Sequence, residues 1–176
     1  MKKYCFLILV PFLLSGCGYK VGSLLPKDIK TISVPTITNN TMEPGIELPI
    51  TNAVIKRFRV DGTLRVVKKK DADLLLEGKL VKYSREPLRY KGKDFNKVRE
   101  YRLKLRAKLT LTDLRTGKSV WEEPVYVTGE TSYFLEGDLQ TDEMTAFGLP
   151  YQEAKLPTLD EDFARKVVDA VVEGGW

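Results

Sequence analysis

The most regular pattern in the chain lies at residues 98–113. There Tyr101, Leu103, Leu105, Ala107, Leu109 and Leu111 alternate with Arg102, Lys104, Arg106, Lys108 and Thr110. A period of two sends successive side chains to opposite faces of a strand, so one face belongs to a core and the other carries a ladder of four positive charges. Shorter strands are predicted at 28–34, ended by Pro35, and at 63–67. Another is predicted at 73–83, opening with the continuous apolar run Leu74, Leu75, Leu76 that marks a buried strand. Gly78 inside it signals a bulge or a close backbone approach. A turn at 113–118, with Gly117 placed for a left-handed conformation, leads to a strand at 120–134 that is interrupted around Pro124.

Two segments have helical spacing instead. Ile50, Ala53, Val54 and Phe58, with Ile46 ahead of them, form an apolar stripe over 47–60 that stops at Asp61-Gly62. Thr158, Leu159, Asp160 and Glu161 have the pattern of a capping box, after which Phe163, Val167, Ala170 and Val171 line one face as far as Gly174. Residues 36–45 and 136–157 have loop chemistry, and the lysine-rich 68–71 is a solvated turn. Residues 84–97 are basic and aromatic and form the tip of a long hairpin.

This order predicts an α+β sandwich: a mixed, mainly antiparallel sheet of about four to five strands with two helices packed on one face. The first strand reaches the next through a helix, which implies a parallel, right-handed crossover, and the later strands form an antiparallel meander. The ladder of Arg102, Lys104, Arg106 and Lys108 lies on the face without helices.

The N-terminus follows a different logic. Lys2 and Lys3 precede an apolar run over 4–14, and Ser15 and Gly16 precede Cys17. A charged start, a short apolar stretch and small residues before a cut define a secretory signal. Leu14-Ser15-Gly16-Cys17 is similar to the lipobox of bacterial lipoproteins, which implies a lipidated Cys17, a signal peptide at 1–16, a tether at 17–27 and a single domain at 28–176. Two or three acyl chains, at about 0.8 kcal/mol per buried methylene, anchor a protein stably. Gly18 and Tyr19 follow the cysteine where an aspartate would mean inner-membrane retention, so the expected place is the outer membrane, facing the periplasm.

Loss of Cys5, Lys2 and Lys3 with the signal leaves no pair of cysteines for a disulfide and lowers the formal charge from +5 to +3. The chain has no histidine. That removes the usual zinc ligands and every His-dependent triad, and no EF-hand loop, phosphate-binding glycine loop or serine elbow is present. A binding or assembly role without enzymatic activity, metal or cofactor is therefore expected, and nothing calls for a nucleic-acid partner.

Several short motifs occur in a telling order. They are Cys17-Gly18-Tyr19; Ile32-Ser33-Val34-Pro35 with Asn40-Thr41; Phe58-Arg59-Val60-Asp61-Gly62; Ala72-Asp73-Leu74-Leu75-Leu76-Glu77-Gly78; Tyr101-Arg102-Leu103; and Gly117-Lys118-Ser119-Val120-Trp121. In that order the chain resembles the lipopolysaccharide-assembly lipoproteins of the LptE family. The resemblance implies a plug inside a large outer-membrane β-barrel translocon (LptD-like), helping it assemble and binding lipopolysaccharide on its way to the cell surface. A ligand with phosphates and acyl chains needs Lys and Arg beside apolar or aromatic surface. The candidate contacts are accordingly Arg102, Lys104, Arg106 and Lys108 on the ladder, and Arg85, Arg89, Lys91 and Lys93 in the hairpin. The alternative is a lipoprotein that activates a cell-wall synthase, or helps a secretion pore assemble, by protein contact alone.

Overall fold

The computed structural model describes residues 25, 26, 28–91, 94–134 and 157–174. The described strands are β1 (Thr31–Ser33), β2 (Thr38–Asn39), β3 (Arg65–Val66), β4 (Leu74–Lys91), β5 (Asp94–Asp113), β6 (Lys118–Ser119) and β7 (Val125–Phe134). The helices are α1 (Glu47–Asp61) and α2 (Pro157–Val172), with one short 3-10 turn at Lys69–Asp71. All seven strands join one sheet in the order β3-β1-β4-β5, after which β6 and β7 both pair with β5 and β2 pairs with β4 beside β1. The β1 contacts with β3 and β4 are parallel, whereas β4, β5 and β7 form the antiparallel meander. The class is the expected one, and the extra strands are the two-residue pieces β2 and β6, too short to leave a periodic trace.

The core lies between one face of this sheet and the two helices. Leu103, Leu105, Ala107, Leu109 and Leu111 of β5 meet Ile50, Val54 and Phe58 of α1 and Phe163, Val167 and Val171 of α2, all in one buried cluster. The helices therefore share a single face, as the stripes require. Gly62 ends α1 in the left-handed conformation at φ 76°, its N–H donating to Phe58 O. Helix α2 starts at Pro157, whose fixed φ suits a first helical position. The Thr158 hydroxyl lies 2.6 Å from that of Thr131 on β7.

The fold settles three further local features. Strand β1 is interior, flanked by β3 and β4, so Thr31 and Ser33 are buried along with Ile32. The polarity of Thr31 is answered by Asp73, whose carboxylate accepts from Lys30 N, Thr31 N and Thr31 Oγ1 at 2.8–2.9 Å. Gly78 is a close approach, not a bulge: a Cβ there would lie 3.0 Å from Leu109 and 3.3 Å from Ile37. The bulge falls three residues later, where the β4–β5 register shifts between Leu80 and Lys82. Finally, the hairpin tip expected at 84–97 is strand almost throughout, because β4 runs to Lys91 and β5 begins at Asp94, giving a two-stranded ribbon beyond the last described β7 rung at Glu100.

Candidate functional site

Among the described residues no helix lies on the face of the sheet opposite α1 and α2, and the bulge decides which β4 residues reach it. Before the bulge, Lys79 stands opposite Lys108; after it, Lys82 stands opposite Arg106. An extra residue reverses the alternation of every residue that follows. Without it Val81 would take that position and Lys82 would turn toward the core. Directly opposed residues share a face, so Lys79, Lys82, Arg106 and Lys108 form a square of four cations. Successive β5 members are separated by about 7 Å along the strand.

These are like charges in directly opposed positions, an arrangement that destabilises a sheet instead of supporting it. None of the four has a carboxylate partner among the described ion pairs. Beside the square, the half-exposed Tyr126 of β7 lies opposite Lys108, and the Arg106 guanidinium sits over its ring at 4.6 Å. Val81, extruded by the bulge, is exposed nearby. Cations next to exposed apolar and aromatic surface are thus assembled from three strands.

Toward the ribbon end the same face is electrically balanced. Lys104 Nζ is 2.9 Å from Glu86 Oε2 and has Glu130 opposite it on β7. The hydrogen bond from Lys104 holds the Glu86 carboxyl below the usual carboxylate range. Arg89 Nε is 3.1 Å from Glu100 Oε2, and Glu100 is only 7 % exposed. Leu88, Arg89, Glu100, Arg102, Glu130, Thr131 and Ser132 line an open cleft of about 390 Å³ there.

The ladder predicted on β5 is therefore present on one face, but its members differ. Arg106 and Lys108 belong to the square, Lys104 is paired, and Arg102 lines the cleft. The hairpin residues divide differently: Arg85 stands opposite the buried Leu103, on the helix-bearing side, and Arg89 is engaged with Glu100. Lys93 and Cys17 lie outside the described residues, as does the side chain of Lys91. Lys79 and Lys82 were missed because they join the ladder only through the β4–β5 pairing, Lys79 opposite Lys108 and Lys82 turned to the same face by the bulge.

A second cluster, at the opposite end of β5, is structural. Arg115 bridges Asp113 and Asp28. Hydrogen bonds from Arg115 hold both carboxyls below the usual range, and those to Asp113 and then Asp28 raise the guanidinium. The cluster ties the chain ahead of β1 to the turn after β5.

The fold defines a class: a small α+β domain with one face of its sheet packed on helices and the other, among the described residues, uncovered and basic. The chain is matched over residues 29–171 by the LptE family of lipopolysaccharide-assembly proteins, and it belongs to that family. Similar solved structures include a minor lipoprotein from Acinetobacter baumannii, 20% identical, covering 83% of this chain and 92% of that one at a TM-score of 0.50. A PelC dodecamer variant from Paraburkholderia phytofirmans is 17% identical, with 86% and 94% covered and a TM-score of 0.50. The hypothetical protein CT253 from Chlamydia trachomatis is 8% identical, with 81% and 95% covered and a TM-score of 0.53. At these identities the likeness shows the fold. No curated protein matches the chain. Among the described residues no helix is long and apolar enough to cross a membrane.

Proposed function

We propose that this chain is an outer-membrane lipoprotein, anchored through Cys17, that seats in an LptD-like β-barrel and binds lipopolysaccharide with its open sheet face. The role is non-catalytic. Family membership supplies the class of process. The observation that carries the binding reading is the pair of like-charge rungs, Lys79 opposite Lys108 and Lys82 opposite Arg106. Such rungs cost stability in the free protein and become favourable when an anion with more than one phosphate lies across them. Tyr126 and Val81 offer the apolar surface that a glycolipid brings to the same place.

The test has two arms. Purification of the full chain from detergent-solubilised outer membranes should bring a very large β-barrel as its main partner, and the purified chain should bind lipopolysaccharide with an affinity that falls as salt rises. Recovery of a cell-wall synthase or a secretion pore in place of the barrel, with no lipopolysaccharide binding, would establish the protein-contact alternative.

A further inference from the structure

Among the described residues β7 is the long outer strand of the antiparallel meander, with no strand on its far edge, and the middle of that edge is held by side chains. Val120 N donates to Leu111 O at 2.8 Å, so the odd-numbered backbone of β5 faces β6 and β7. In the β5–β7 register the odd-numbered residues of β7 stand opposite these, and the even-numbered ones turn their N–H and C=O groups outward. Two of those outward groups have partners on α2. Glu130 N donates to Asp162 Oδ2 at 3.0 Å, and Lys166 Nζ donates to Thr128 O at 3.0 Å. Asp162 and Lys166 are one helical turn apart and 2.8 Å from each other, and Arg165 holds the other Asp162 oxygen.

Thr128 C=O and Glu130 N–H are the two groups that one residue of an added parallel strand, opposite Gly129, would take with its own N–H and C=O. An added antiparallel strand would meet them from two successive rungs. A carboxylate and an ammonium on one helix turn thus stand in for a strand in the middle of the ten-residue edge. An unguarded edge of this length is a template for pairing with another chain. The Gly129 contact places the guard, since α2 reaches the edge only because Phe163 can lie directly on the glycine.

We propose that the Asp162–Lys166 pair is an edge guard that prevents β7 from taking a strand from a second copy of this chain. Asp162→Ala with Lys166→Ala removes both stand-ins and leaves the buried face of α2 intact. In density-matched sedimentation of the full chain in detergent, the wild type should remain monomeric, while the double variant should self-associate at concentrations at least ten-fold lower. Adding Glu130→Pro removes one outward N–H without touching the bonds to β5, so it should return the double variant to the monomer. Association that survives Glu130→Pro does not run through this edge and overturns the proposal, as does a folded double variant that stays monomeric. Should the double variant fail to fold, two single variants decide. Asp162→Asn keeps an acceptor for Glu130 and should stay monomeric, whereas Lys166→Met frees Thr128 C=O and should associate measurably. A monomeric Lys166→Met would be decisive against the guard.

Discussion

Phe163 of α2 lies so close to Gly129 of β7 that a Cβ on the glycine would stand 2.6 Å from the phenylalanine Cβ and 3.0 Å from its Cα. Backbone touches backbone at this crossing, and neither side can yield without moving the helix. Around it, Thr131 meets Thr158, Glu130 meets Asp162 and Thr128 meets Lys166. The N-terminal half of α2 is thereby fastened along β7, rung by rung.

Gly129→Ala should consequently destabilise the domain by about 1–3 kcal/mol through overpacking. Phe163→Ala, which empties a fully buried ring site, should cost about 3–5 kcal/mol. Urea denaturation compares the two. An unchanged midpoint for Gly129→Ala would mean that the helix shifts without loss.

Asp73 should be the acid-sensitive clamp of the parallel part of the sheet. The Lys30 N–H and then the Thr31 hydroxyl hold its carboxyl below the usual range, against the raising effect of burial. A depressed folded-state pKa gives stability that is present above the unfolded value, about 3.9, and lost as pH falls through the folded one. Asp73→Ala should cost about 1–3 kcal/mol at pH 7 by leaving donors unsatisfied. The wild type and variant should draw together as pH falls below the unfolded value and through the lower folded one, as thermal melts across pH 2–7 would show.

Asp160 should behave in the opposite sense. Burial, and secondarily the adjacent Glu161, raises its carboxyl to about 6, and Oδ1 is buried without a hydrogen-bond partner among the described residues. For a raised acid, the stability present below the unfolded pKa is lost as pH rises through the folded value. Asp160→Asn should therefore stabilise the protein by about 1 kcal/mol at pH 7, after allowance for solvent screening, and by almost nothing at pH 4. Equal effects at both pH values would remove charge as the cause.

The cationic square predicts effects of opposite sign on stability and binding. Lys79→Gln with Lys82→Gln eliminates both like-charge rungs and should stabilise the free protein by about 0.2–1 kcal/mol per rung, more at low salt. The same variant should bind lipopolysaccharide more weakly and with a shallower salt dependence. Arg102→Gln with Arg106→Gln should also lower affinity while leaving the barrel association in place. Because Arg102 also lines the ribbon-end cleft, undiminished binding by both double variants would move the ligand site off this face of the sheet.

Much of this was legible in the chain because it depends on local periodicity. The alternation from Tyr101 to Leu111 dictates which side of β5 is buried, and the stripes of Ile50, Val54 and Phe58 and of Phe163, Val167 and Val171 dictate two helices over one face. Gly62 could be read as a helix end because only a residue without a side chain takes its backbone angle freely. The basic ladder was visible for the same reason, as the polar half of a strand whose apolar half is core.

What the tertiary structure alone decided are relationships between segments far apart in sequence. One extruded residue, Val81, reverses the facing of β4 from Lys82 to Pro87, where the register shifts again, bringing Lys82 beside Arg106 and sending Arg85 to the side of Leu103. The consecutive apolar pair Leu80-Val81 breaks the alternation, but which residue is extruded follows from the register β4 adopts against β5. Burial of Thr31 and Ser33 follows from β1 lying between β3 and β4, which short-range alternation cannot express. The same holds for Asp162 and Lys166. By their spacing they are an ordinary i, i+4 pair on a helix, and they reach the edge of β7 only because Gly129, 34 residues before Phe163 in the chain, lets the helix come that close.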